Sequence, residues 1–384
     1  MGRIDTLINE LCPEGVEYVK LRDACIFVKD GTHGSYKNVD NGYPLLSAKD
    51  INNGYVNISD DCRRISKEDF DTIYKKYRLS KGDVLITIVG SIGRTAIIQE
   101  NTQMAFQRSV GILRPCKNIL SSYLFYALQT TASKTQLASR TSKSAQGGVY
   151  LGELCKIEIP LPPLPIQEEI VRILDTFTEL QAELQAELQA RLLQYQYYRD
   201  QLLSFDGRED IKWKKLEEVA SIKNGKDYKH LKEGNIPVYG SGGIMKYVDT
   251  YAYNKPSLLL PRKGSIGNIF FVDIPFWTVD TCYYTEINDE VVLPKYLYYA
   301  FTTIDLTKLN TASGAVPSLT QSVLYKISVP IPSLEEQQKI VSTLDKFDTL
   351  VNDLSQGLPA EIEARRQQYE YYRDKLLTFK RKEA

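Results

Sequence analysis

QYQYYRDQLLSF, residues 194–205, is spelled again as QYEYYRDKLLTF at residues 368–379, with exchanges at three positions. A twelve-residue phrase repeated within 384 residues marks a duplicated unit. The alignment extends upstream. IPLPPLPIQEEIVRILDTFTEL (159–180) matches VPIPSLEEQQKIVSTLDKFDTL (329–350) at an offset of 170, whereas the closing phrases lie 174 residues apart. One of the two tracts between these matches is therefore four residues longer. GSIG recurs at 90–93 and 264–267 after apolar runs, and VEYVKL (16–21) resembles IKWKKL (211–216). The order is globular unit, helix, globular unit, helix.

The helical segments read clearly. Prolines 160, 162, 163 and 165 mark an extended approach that cannot itself be helical. Beyond them Ile166, Ile170, Ile173, Phe177, Leu180 and Leu184 step by four and three, the seam of a coiled coil. No glycine or proline interrupts 166–205, so one helix of about 38 residues reaches roughly 57 Å. The second copy repeats the seam with Ile340, Leu344, Phe347, Leu350 and Leu354, and Gly357 and Pro359 predict a kink or break before Ala360. Two such helices bury each other's seams most simply as an antiparallel pair. Residues 178–190, TELQAELQAELQA, form a tetrapeptide array. It suits a plain helical surface, and it also suits a ruler. Four residues shift everything beyond by roughly 6 Å with about 40° of rotation.

The expected fold is α+β, with two mixed α/β domains separated and joined by two long antiparallel coiled-coil helices in a pseudo-two-fold internal repeat. The segments are 1–158 (first domain, with an N-terminal helix), 159–206 (first helix), 207–328 (second domain) and 329–384 (second helix). Hydrophobic content of 43% and charged content of 25% are those of a globular protein. No apolar run is long enough to span a bilayer. Six scattered cysteines without a close pair read as reduced thiols of a cytosolic protein, and two distant histidines make a structural zinc site improbable.

Net charge is zero, but it is segregated. Residues 101–152 contain no acid, whereas Arg108, Arg114, Lys117, Lys134, Arg140 and Lys143 are basic; 167–190 is acidic apart from Arg172. The local sign points the basic globular segment at a polyanion. GSIG lacks the spacing of a phosphate loop, and no catalytic motif is present. The loops mix glycine, small polar residues, aromatics and cations, which suits phosphate contact and base-edge reading. Candidate DNA-binding residues are Ser91, Arg94, Arg108, Arg140, Lys143, Gln146 and Tyr150 in the first half. In the second half they are Lys226, Tyr239, Ser241, Lys246, Arg262, Lys263 and Asn268. In the repeated phrase, Tyr195, Tyr198 and Leu202, like Tyr369, Tyr372 and Leu376, have core spacing. Tyr197 with Arg199, and Tyr371 with Arg373, point elsewhere and are the candidate partner-docking residues, because tyrosine and arginine are enriched at interfaces.

The helix openings PLPPLPIQEEIVRILD and PIPSLEEQQKIVSTLD, the two YYRD-[QK]-LL-[ST]-F endings and the ELQA array resemble the specificity subunit of type I restriction–modification systems over essentially the whole chain. The resemblance implies two target-recognition domains, each reading half of a bipartite double-stranded DNA sequence. It implies helices that act as spacer and platform for two modification (methyltransferase) subunits, and restriction subunits, ATP-dependent translocase and endonuclease, that complete the assembly. No cofactor is expected on this chain, with S-adenosylmethionine, ATP and Mg on the partner subunits, and no membrane is involved. The setting is the cytoplasm of a bacterium or archaeon. The array occurs only in the first helix, a departure from a symmetric platform. The alternative reading is a coiled-coil interaction scaffold with two protein- or glycan-binding domains.

Overall fold

The structure is a computed structural model that describes residues 2–52, 54–142, 147–312, 315–353 and 357–383. The chain separates into two compact units, Met1–Glu183 with Ile362–Ala384, and Leu184–Glu361. Both dividing points fall inside long helices. Each unit thus holds one globular portion and two helical segments taken from different copies of the repeat.

Unit 1 opens with α1 (Arg3–Leu11) and β1 (Tyr18–Lys20). There follow β2 (Cys25–Asp30), β3 (Tyr43–Leu46), β4 (Arg64–Ile65), α2 (Lys67–Lys76), β5 (Val84–Thr87), β6 (Thr95–Ile97), β7 (Ala105–Phe106) and β8 (Val110–Pro115). Helices α3 (Ser121–Gln129) and α4 (Thr131–Ser139) and strand β9 (Glu158–Pro160) complete the globular portion. The first half of α5 (Leu164–Leu202) and most of α8 (Leu358–Leu376) supply its helices. The sheets run β2-β8-β5-β6, β4-β3-β7 and β1-β9. Every residue of β5 is buried. Val84 and Ile86 enter a core with Tyr123, Ile166 and Ile170, while Leu85 enters another with Leu46, Phe106 and Ile112. The strand reads as a continuous apolar run because alternate side chains meet two cores.

Unit 2 repeats this strand for strand. It contains β10 (Lys212–Lys215), β11 (Ala220–Asn224), β12 (Glu233–Gly240), β13 (Gly243–Val248), β14 (Ser257–Pro261), β15 (Phe270–Val272), β16 (Trp277–Thr278) and β17 (Cys282–Ile287). Then come α6 (Pro294–Thr302), β18 (Ser328–Ile331) and α7 (Leu334–Asn352). Its sheets run β11-β17-β14-β15, β13-β12-β16 and β10-β18. Leu258 and Leu260 face one core and Leu259 the other, as in β5. The fold is the expected α+β duplication, and GSIG occupies the turn after β5 in one unit and after β14 in the other.

Helix α5 runs unbroken for 39 residues. It starts at Leu164 rather than after Pro165, because a first-turn proline needs no N–H partner. Ser333 caps α7, its Oγ accepting from the Glu336 N–H at 3.2 Å. The break between α7 and α8 falls where Gly357 and Pro359 predict it. A Cβ at Gly357 would lie 2.4 Å from the Thr349 carbonyl oxygen, so only glycine fits. The inner faces differ from a strict seam. In α5 Leu174 is buried where the seam predicts Ile173, and Leu180 is exposed. In α7 Leu350 is exposed and Val351 buried, and Leu354 lies outside the described residues. Each helix lies against its own globular portion as well as against a second helix, which favours a wide stripe over a narrow one.

Within each unit the two helices run antiparallel. In unit 1 Phe177 of α5 meets Tyr369 and Tyr372 of α8, while Arg381, beyond the end of α8, pairs with Glu158, ahead of α5. In unit 2 Tyr195 and Tyr198 meet Phe347, while Arg208, beyond the end of α5, pairs with Glu336 near the start of α7.

Candidate nucleic-acid interface

A junction of buried polar groups between globular portion and helix occurs in both units. Gln167 of α5 is fully buried. Its Nε2 donates to the carbonyls of Asn118 (2.9 Å) and Pro162 (2.8 Å), and its Oε1 accepts from the Leu120 N–H (3.0 Å). Gln337 of α7, also fully buried, donates to Val291 O (3.1 Å) and Pro332 O (2.9 Å) and accepts from Leu293 N–H (2.8 Å). Tyr126 donates to Asp175 and Tyr299 to Asp345, each at 2.6 Å. Burial, then the neighbouring carboxylate, push both phenols well above the ordinary tyrosine value. Tyr123 and Tyr296 donate to Pro160 O (2.9 Å) and Pro330 O (2.8 Å). Each globular portion is therefore fixed on its helix by directional polar groups as well as by apolar contact. None of these residues is among the sequence candidates. The signal lies in YLFYA (123–127) and YLYYA (296–300), and in the aligned glutamines of the helix openings.

In unit 1 the GSIG turn is tight. Gly90 and Gly93 have φ of 79° and 90°, and Thr87 Oγ1 donates to Ser91 O and accepts from Arg94 N–H at 2.9 Å. This leaves the Ser91 and Arg94 side chains exposed. Arg94 shares a cleft with Lys134, Gln181 and Arg366. Arg108 and Tyr150 line a second cleft with Asp30, His33 and Ser142. His33 Nε2 and Asp30 Oδ2 are 2.7 Å apart there. Arg140 closes the end of α4 by donating to Gln136 O at 3.1 Å. Lys143 and Gln146 lie outside the described residues. Not every cation of the acid-free tract is available: Arg114 pairs with buried Asp83 at 2.7 Å.

In unit 2 Lys226, Lys246, Lys263 and Asn268 are exposed. Asn268 Nδ2 donates to Ser241 O (3.1 Å), and the Ser241 N–H donates to Thr281 Oγ1 (3.4 Å), so Ser241 is buried as a turn anchor. Tyr239 packs against Phe270 and Phe276, and burial raises its phenol pKa. Arg262 is half-buried and donates to Asp280 O at 3.1 Å. Tyr239 and Ser241 thus build the loop, while Lys226, Lys246 and Lys263 present its charge.

In the repeated phrase Tyr197 and Tyr371 are 60% and 61% exposed, whereas Tyr195 is buried. Each outward tyrosine meets its neighbour edge-on, Tyr197 with Tyr198 at 5.5 Å and Tyr371 with Tyr372 at 5.3 Å. The arginines turn inward. Arg373, with a side chain 5% exposed, lies 5.5 Å over the Tyr369 ring and pairs with Asp374. Arg199, at 19%, pairs with Asp200 at 2.7 Å. Of the four candidate docking residues, the two tyrosines face solvent.

Among the described residues no group of three or more His, Cys, Asp or Glu is placed to hold a metal ion, and no helix is long and apolar enough to cross a membrane. The chain matches the family described as type I restriction modification DNA specificity domain twice, at residues 13–194 and 208–364. It is 36% identical over 297 residues to the EcoR124I/EcoR124II type I restriction enzyme specificity subunit of Escherichia coli, covering 69% of this chain and 72% of that protein. A putative type I specificity subunit of Mycoplasma pneumoniae is 31% identical over 311 residues, covering 74% of this chain and 90% of that one. Among solved structures, the type I restriction–modification S subunit from M. genitalium superposes with a TM-score of 0.59 at 18% identity, over 94% of this chain and 96% of that one. A chain from a structural study of complex assembly in the type I R-M system gives 0.62 at 14% identity, over 94% and 97%.

Proposed function

Because the chain belongs to the family of type I restriction–modification DNA specificity subunits, we propose that it reads a bipartite double-stranded DNA target and directs partner subunits to it. The observation that carries this reading is the duplication itself. Two globular units of the same strand order have different loop residues, Arg94 and Arg108 in one and Lys226, Lys246 and Lys263 in the other. Different loops on one scaffold suit two different half-sites. In each unit cations meet phosphate while polar side chains reach base edges.

The exposed Tyr197 and Tyr371, alike in both copies, suit two identical modification subunits. Methyl transfer with S-adenosylmethionine and base extrusion belong to those subunits. ATP-driven translocation, with Mg, and cleavage belong to restriction subunits. The chain itself acts without catalysing, in the cytoplasm of a bacterium or archaeon. Mapping methylated positions in host DNA with and without this chain tests the reading. A bipartite motif that disappears with the chain supports it. An unchanged methylation map overturns it in favour of a scaffold that binds protein or glycan.

A further inference from the structure

Strand β13 is an edge strand, paired on one side only with β12. It is exposed on both of its faces. Ile244, Met245, Lys246 and Tyr247 are all open to solvent, Met245 by 58%. An ordinary half-buried strand would alternate. The register explains the difference. Val238 pairs with Lys246 but Tyr239 with Ile244, so Met245 is the extra residue of a β-bulge, a device that re-aims side chains. Gly240 contributes to it: a Cβ there would lie 2.6 Å from the Met245 Sδ, so the missing side chain lets methionine lie across the turn. The turn is held from behind, with Thr281 and Asn268 bonded to Ser241. The result is a firmly based hairpin with a large apolar tip.

The tip is rimmed by cations. Lys246 lies on it, and the cleft that holds Met245 is lined by Lys229 together with the carboxylates of Asp227 and Asp280. Lys232 is tied to the strand end, its N–H donating to Asp249 Oδ1 at 3.2 Å. Lys223 pairs with Glu286, but among the described residues Lys226, Lys229, Lys232 and Lys246 make no ion pair. Residues 223–263 carry eight Lys and Arg against three acids. Unpaired lysines around an apolar edge complement a polyanion with an apolar interior, which is a stacked duplex. The equivalent connection of unit 1, between β3 and β4, also exposes apolar side chains, Tyr55 and Ile58. There Arg63 and Arg64 are bonded to the Tyr36 and Gly42 carbonyls, and among the described residues between the two strands the exposed lysine is Lys49.

We propose that the β12–β13 hairpin is a wedge. Ile244 and Met245 enter the groove of the half-site read by unit 2 and unstack a single base step, while Lys229, Lys232 and Lys246 hold the flanking phosphates. Tyr247, one residue beyond, covers the adjoining sugar edge. The proposal rests on the DNA-reading function above and adds the element and its mode of action.

The test uses the full chain assembled with its modification subunits, on duplexes of the mapped motif that carry 2-aminopurine at successive steps of that half-site. The wild-type complex is expected to raise the fluorescence at one step. I244A/M245A is expected to abolish the rise and weaken binding on the order of tenfold, with the salt dependence unchanged. K232A/K246A is expected to keep the rise and to lower the slope of log K against log salt by about 0.9 per lysine. Unchanged binding and fluorescence in I244A/M245A overturns the wedge while leaving the DNA reading intact. Loss of subunit assembly with DNA binding retained overturns it in favour of a protein-docking edge. A wild-type complex that does not discriminate among duplexes removes the DNA reading itself, and the wedge with it.

Discussion

Phe347 stacks on Tyr198 with ring centroids 5.4 Å apart and planes 24° from parallel. Phe177 stacks on Tyr372 in the same way, at 5.5 Å and 25°. The tyrosines belong to the repeated phrase and the phenylalanines to the repeated helix openings. In each unit, then, the closing phrase of one copy packs on the opening helix of the other. The phrase stays alike in both copies partly because it must fit the same aromatic partner.

Truncation of either phenylalanine removes a half-buried ring and its stacking partner. Phe347→Ala and Phe177→Ala are each expected to destabilise by about 2 kcal/mol. In urea unfolding, a cycle of Phe347→Ala with Tyr198→Ala is expected to show a coupling of about 1 kcal/mol. Strict additivity would mean that the rings are neighbours without a specific contact.

The glutamine junction is more demanding. Gln337→Ala leaves the Leu293 N–H and the carbonyls of Val291 and Pro332 without their partner inside the fold. The expected cost is about 3 kcal/mol, against about 1–2 kcal/mol for Tyr299→Phe, which removes one hydrogen bond to a carboxylate. Thermal unfolding followed by near-UV circular dichroism ranks the two. A larger loss for Tyr299→Phe would show that the carboxylate, not the amide, fixes the globular portion on its helix.

Much of this was legible in the residues. The duplication, the long first helix and the break at Gly357 follow from repeat spacing and from glycine and proline, whose effects are local. The junction was not, because Gln167 and Gln337 look like ordinary surface residues of a helix opening; only the carbonyls gathered around them make them core. The packing of Tyr239 and the burial of Ser241 were not legible either, since a Gly-Ser turn beside an aromatic has the same composition whether it meets phosphate or its own sheet. Arg373 likewise has an interface composition and a core position. Side-chain direction at a loop or helix end depends on tertiary neighbours that periodicity does not encode.

Asp374 of the repeated phrase gives a pH signature. Burial pushes its carboxyl upward, but the Thr131 hydroxyl and N–H, donating at 2.5 and 3.1 Å, together with Arg373, outweigh that and hold it below the usual carboxylate range. A depressed carboxyl binds its proton less readily folded than unfolded. Its stabilisation is full above the unfolded value of about 3.9 and is lost as pH falls through the folded value. The melting temperature of the wild type is therefore expected to exceed that of Asp374→Asn at about pH 6, with the gap closing towards about pH 3. A gap that stays constant would show that Asp374 contributes by shape rather than charge.

The tetrapeptide array makes the last expectation. Across 178–190 no side chain is fully buried, and Glu179, Glu183 and Glu187 face solvent. Leu188 packs partly into the core of unit 2, three residues before Arg191. Deleting Ala186–Gln189 puts Leu184 at that same position before Arg191, because the array repeats every four residues. The packing of the following helix is thus preserved while the helical path along α5 shortens by about 6 Å with about 40° of rotation. Methylation mapping of the deletion variant is expected to show both half-site sequences unchanged and the gap between them altered by about 1–2 base pairs, given roughly 34 Å per turn of about 10. Altered half-sites, or an unaltered gap, would reduce the array to a plain helical surface.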